Sequence, residues 1–145
     1  AFLVNISLSA QDGVEERIQQ ARKEFFEKEL QLTAIESEAF WPIYDRMRDE
    51  QEAIKKQYKM NRKIELMSDA EVESYILSSF EVEQKQLELK KRYFVEFKKI
   101  MSIRKLAMMK RTEQRFKREL LKRMRNRRQG ARGNKRQNRN SDDNF

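Results

Sequence analysis

The chain has 145 residues, 38% hydrophobic and 39% charged, with a net charge of +9 and neither cysteine nor histidine. Against the ~45–50% apolar and ~25% charged residues usual in globular proteins, the core must be thin and one domain is the limit. The missing side chains exclude disulfides, Cys/His zinc sites, a cysteine nucleophile and a histidine base.

Carboxylates for magnesium or calcium remain, but they are scattered among Lys and Arg without an EF-hand pattern. The three glycines, Gly13, Gly130 and Gly133, are expected outside the helical body and form no phosphate loop. No catalysis, cofactor or metal is therefore expected. One proline and an abundance of Glu, Lys, Gln, Arg, Leu and Met predict long helices.

The segment AFLVNISLSA has no initiator Met, and from Gln11 the chain turns polar. Residues 1–10 read either as the remnant of a signal peptide cut before Gln11 or as an apolar segment that packs on the helices. The first reading makes the mature chain an exported, soluble one. No other apolar run approaches the length of a membrane span.

Val14, Ile18, Ala21 and Phe25 at helical spacing predict a first helix over about 14–30. A second is predicted from Thr33 to about Ile64, with Phe40, Tyr44, Met47, Ile54 and Tyr58 on one face. Pro42 should kink or briefly break it near Phe40 and Trp41. A third, from Ser68 to Met101, carries Phe80, Leu87, Phe94 and Met101 at intervals of seven, flanked by Ile76, Tyr93, Phe97 and Ile100. This coiled-coil-like seam is on the order of 50 Å long. Ser102 opens a fourth helix, with Ile103, Leu106, Met109, Phe116, Leu120 and Met124 in register to about residue 126. No Gly or Pro marks the junction, so a continuous or kinked helix stays open there.

Beyond residue 126 the chain is polar and low in complexity, which predicts a disordered basic tail over 127–145. Residues 115 to 139 hold 12 Lys or Arg against one acid, Glu119. The tail reads either as a solvated end or as an electrostatic arm for anionic lipid, nucleic acid or an acidic protein surface.

One phrase recurs in outline: LTAIE at 32–36, MSDAE at 67–71 and MSIRK at 101–105. Thr33 with Glu36 and Ser68 with Glu71 fit capping boxes, and the third keeps only Ser102. Such a cap before a pair of long helices, and a second before a basic final helix, resemble the Spy/CpxP family of exported bacterial proteins. LTAIESEAFWPIYDRM (32–47) is similar to the version common among Bacteroidetes-type bacteria, whose chains are described as sensors of extracytoplasmic-function (ECF) sigma factors. Leu32 and Thr33 match the family's LTxxQ motif, Glu36 stands where Gln is usual, and Met101, Ser102 and Lys105 match the second motif more weakly. Capping by itself also accounts for these residues.

The resemblance covers about residues 14–126, and residues 11–126 are taken as the helical domain. It implies an all-α subunit, an elongated four-helix antiparallel hairpin or cradle that dimerises and acts in the periplasm in the envelope stress response. It further implies either ATP-independent, chaperone-like binding of unfolded clients or regulation through an anti-sigma factor or sensor kinase. Metal-sensing relatives would use His ligands, which this chain lacks.

The residues expected to meet a client or partner are Arg104, Lys105, Arg111, Arg115, Phe116, Arg118, Lys122 and Arg123, whose charges surround apolar contacts; the apolar members serve equally as a core stripe. The alternative is a basic helical nucleic-acid- or ribosome-binding protein, for which export would remove the ligand.

Overall fold

The computed structural model describes the backbone of residues 5–59 and 62–142, and side chains over 13–59 and 62–130. The described chain is all-α, with no strand among the described residues: α1 (Asn5–Leu30), α2 (Ala34–Gln57), a 3-10 turn (Ile64–Leu66), α3 (Asp69–Lys98) and α4 (Ile103–Asp142). It divides into two compact units, Leu32–Leu106 and Ala1–Gln31 with Ala107–Phe145.

In the first of these, α2 packs on α3. Polar pairs along the two helices fix their direction: Arg46 bonds Glu96 at 2.9 Å, Glu50 takes Arg92 and Tyr93, and Tyr58 takes Lys85. Numbers rise on α2 as they fall on α3, so the helices run antiparallel. Beneath the pairs lies an aromatic core. Phe40 stacks on Tyr44 at 5.3 Å and meets Phe97 at 5.3 Å and Trp41 at 5.0 Å. Met47, Leu89, Tyr93 and Met101 are buried with them. Burial and the bond to Glu50 push the Tyr93 hydroxyl up to about 12, and that bond in turn leads in holding Glu50 below the ordinary carboxylate value.

Of the kink or brief break expected at Pro42, the break does not occur: α2 runs through it from Ala34 to Gln57. The proline cannot donate to the Glu38 carbonyl, but Glu38 and Pro42 both lie on the exposed side of the helix, where water can take the freed acceptor. The helix ends at Gln57, short of the predicted Ile64. Tyr58 leaves helical geometry at φ −111°, ψ 17°, with its hydroxyl held by Lys85 at 2.5 Å. The bond to Tyr58 raises the Lys85 ammonium above its ordinary value.

The heptad series on α3 is corrected too. Phe80, Leu87 and Phe94 are 59%, 51% and 45% exposed, and only Met101 of the four is buried. The face that meets α2 is Leu89, Tyr93 and Phe97. The open junction is resolved as a break: α3 stops at Lys98, Met101 N–H bonds the Phe97 carbonyl at 3.1 Å, and α4 starts after Ser102.

In the other unit, Phe116 of α4 meets Phe25 and Phe26 of α1 at 5.6 and 6.3 Å, and the Arg22 guanidinium lies 5.1 Å over its ring. Phe26 and Leu30 are buried and Phe25 is half-exposed but against Phe116, so the apolar stripe of α1 keeps the predicted Ala21 and Phe25 and widens to Phe26 and Leu30. Helix α1 starts at Asn5, ahead of the expected residue 14; residues 1–4 lie outside the described residues. Gln31 follows α1 in the left-handed region, at φ 50°.

Where the sequence predicts a disordered tail after 126, α4 continues to Asp142. No proline stops it, and Arg, Gln, Lys and Ala are tolerant of helix. Residues 143–145 lie outside the described residues. The three glycines expected outside the helices all fall within them, Gly13 in α1 and Gly130 and Gly133 in α4.

Candidate functional site

The two capping boxes form as the spacing requires. Thr33 Oγ1 accepts from Glu36 N–H at 3.2 Å while the Glu36 carboxylate accepts from Thr33 N–H at 2.9 Å. Ser68 and Glu71 repeat this at 3.3 and 2.8 Å, and Arg62 adds an ion pair to Glu71. Ser102 Oγ accepts from Lys105 N–H at 3.3 Å.

The first and third phrases also meet, because Lys105 Nζ donates to Glu36 Oε2 at 2.5 Å. One carboxylate therefore closes its own cap and takes a cation from a cap 69 residues away. That bond, with the one from Thr33 N–H, holds Glu36 below the ordinary carboxylate value; hydrogen bonds from Ser68 do the same for Glu71. These residues are engaged in tying helix starts together. Leu32 is half-buried and Met101 buried beside them.

The basic residues of α4 separate into two groups. Lys105 belongs to Glu36, Arg115 pairs with Glu29 of α1, and Arg123 pairs with Glu119 one turn back. Arg104, Arg111, Arg118 and Lys122 are exposed, and none has an ion pair among the described residues. Phe116, expected to contact a client, is 7% exposed and belongs to the core between α1 and α4. Its burial follows from phase: Phe116 shares its face of α4 with Leu120, which lines a groove against α1 with it.

A groove of about 280 Å³ runs between α1 and α4. Its floor is Ala21, Phe25, Phe116 and Leu120; its rim carries Glu24 and Glu119 against Lys28 and Arg123. The volume is at the lower bound for a small-molecule site, and the lining offers apolar contact and both signs of charge but no thiol, imidazole or hydroxyl nucleophile. Phe116 and Arg123 of the expected set line this groove; Arg104, Lys105, Arg111, Arg115, Arg118 and Lys122 do not.

Sequence reading missed Phe25 and Glu29 as partners of α4. Glu29 and Arg115 are 86 residues apart, and no local signal couples them. No group of His, Cys, Asp and Glu among the described residues is placed to hold a metal ion. No described helix is long and apolar enough to cross a membrane. No protein-family model, curated protein or solved structure matches the chain.

Proposed function

We propose that the chain is a periplasmic, ATP-independent polypeptide-binding protein of the Spy/CpxP kind, a four-helix cradle that works as a homodimer. The observation that carries this reading is the groove between α1 and α4. Its apolar floor and mixed-charge rim suit side chains of an unfolded segment, and its chemistry suits holding over reaction. Neighbouring basic side chains would speed the encounter, and small apolar contacts would permit release. An anti-sigma factor or sensor kinase would use the same groove if the chain regulates instead of protecting.

The homodimer is supported by α3. Phe80, Leu87 and Phe94 form a half-exposed row at seven-residue spacing, the period at which two helices keep a seam in contact. Residues 69–84 carry five acids and no base, whereas 85–98 carry five bases and two acids. Two copies of α3 laid antiparallel about Leu87 therefore set the acidic half of each against the basic half of the other, with Phe80 opposite Phe94 of the second copy.

The test is suppression of aggregation of a chemically unfolded client without nucleotide. Ala21→Trp fills the groove and Leu120→Glu charges its floor. Each should weaken protection about tenfold, the equivalent of one lost apolar contact of about 1.4 kcal/mol, and high salt should weaken the unaltered protein. Protection unchanged in both variants would remove the groove as the binding surface. If the unaltered protein protects no client, the regulatory reading takes first place.

A further inference from the structure

Arginine recurs on α4 at an interval of seven: Arg111, Arg118 and Arg125, and in the sequence also Arg104, Arg132 and Arg139. On an α-helix a seven-residue step turns only about 20° short of two full turns, so the first three project from one side. They stand about 10.5 Å apart along the axis, are exposed, and have no ion pair among the described residues. Glu113 and Glu119, the only acids between 107 and 130, fall on other faces and are half-buried. Leu121, 43% exposed, is one turn from both Arg118 and Arg125, at the edge of the row on the side of Lys117 and Arg128.

We propose that Arg111, Arg118 and Arg125 form an adhesive row by which α4 lies flat on an anionic phospholipid surface. Three observations select this partner. Guanidinium groups take phosphate oxygens in pairs, which a row of lysines would not do. A straight row touches a plane at every member, whereas the phosphates of a duplex wind away around its axis and meet one or two. Leu121 at the edge of the row is accepted at a headgroup boundary and serves nothing against a phosphate backbone. A purely charged row also gains little against an ordinary acidic protein face, while each Arg near an anionic bilayer is worth enough to matter. The row lies outside the groove, so the inference goes beyond the polypeptide-binding reading and does not need it.

The experiment is co-sedimentation of the full chain with vesicles of phosphatidylcholine alone or with about 30% phosphatidylglycerol, at an ionic strength of about 0.1 M. Binding to the anionic vesicles only is expected. Arg111→Gln, Arg118→Gln and Arg125→Gln together should cut partitioning about a hundredfold, at about fivefold per arginine. Lys110→Gln, Lys117→Gln and Arg128→Gln together remove equal charge off the row and should cost less than about tenfold. Circular dichroism checks that helicity is kept. Equal losses in the two triple variants, or binding to neutral vesicles, would overturn the proposal. Tighter binding to a DNA duplex at equal phosphate, abolished by the row variant, would overturn it in favour of nucleic acid.

Discussion

The antiparallel pairing of α3 can be broken at its centre. With Phe80, Leu87, Phe94 and Ile76 about half exposed, each copy offers on the order of 350 Å² of apolar surface, counting ~150–250 Å² for a whole aromatic side chain. Both copies together would gain roughly 17 kcal/mol at ~25 cal/mol per Å². Association costs about 4–15 kcal/mol, leaving ~2–13 kcal/mol, the middle of which corresponds to a dissociation constant of roughly micromolar order. Leu87→Asp removes about 1 kcal/mol of contact per copy and sets two carboxylates together at the dyad. The dissociation constant should rise at least about 30-fold, readable by sedimentation equilibrium.

Register is tested separately, since the chain has no cysteine and any single introduced one can bridge only two copies. Under oxidation Leu87→Cys should cross-link with itself. Phe80→Cys should not, but should cross-link when mixed with Phe94→Cys, because a disulfide needs Cα atoms within about 7 Å. Self-cross-linking of all three variants would mean a parallel pair, and a strict monomer throughout would refute the seam.

Two further outcomes concern the fold itself. Glu36, Glu50 and Glu71 have carboxyls held below the ordinary value, so the unfolded chain binds more protons than the folded one in acid. Their stabilisation is full above the unfolded carboxylate value and lost as pH falls through the lower folded values; thermal unfolding by circular dichroism should show this fall, and Glu36→Gln should flatten it. Pro42→Ala restores a donor to the Glu38 carbonyl in the interior of α2 and should stabilise by about 1–3 kcal/mol, measured as a higher denaturant midpoint. A lower midpoint would mean that the proline ring contributes packing larger than the bond it removes.

Much of the helical body was legible because its signals are local. Thr33 with Glu36 and Ser68 with Glu71 mark helix starts by three-residue spacing, and both boxes formed; Phe40, Tyr44 and Met47 repeat at helical period and are buried. The break allowed for at Pro42 is absent because a proline costs least where the orphaned carbonyl faces water, and which side faces water is decided by α3. The predicted limits of α1 and α4 are too tight for opposite reasons: the apolar run before Gln11 reads as a segment apart from the helix, and the polar turns after residue 126 read as its end, although backbone hydrogen bonds need no apolar stripe to continue.

The seven-residue series on α3 was visible, yet two faces of that helix carry large apolar residues and periodicity cannot say which one meets α2. Only tertiary packing chose Leu89, Tyr93 and Phe97 and left Phe80, Leu87 and Phe94 outward. The site divides in the same way. The density of Arg and Lys on the last helix is composition, readable at once. That Glu36 takes Lys105, Glu29 takes Arg115, and Phe116 turns inward to Phe25 and Phe26 depends on elements far apart in the chain, because a charge or a ring acquires its partner from what the fold brings beside it.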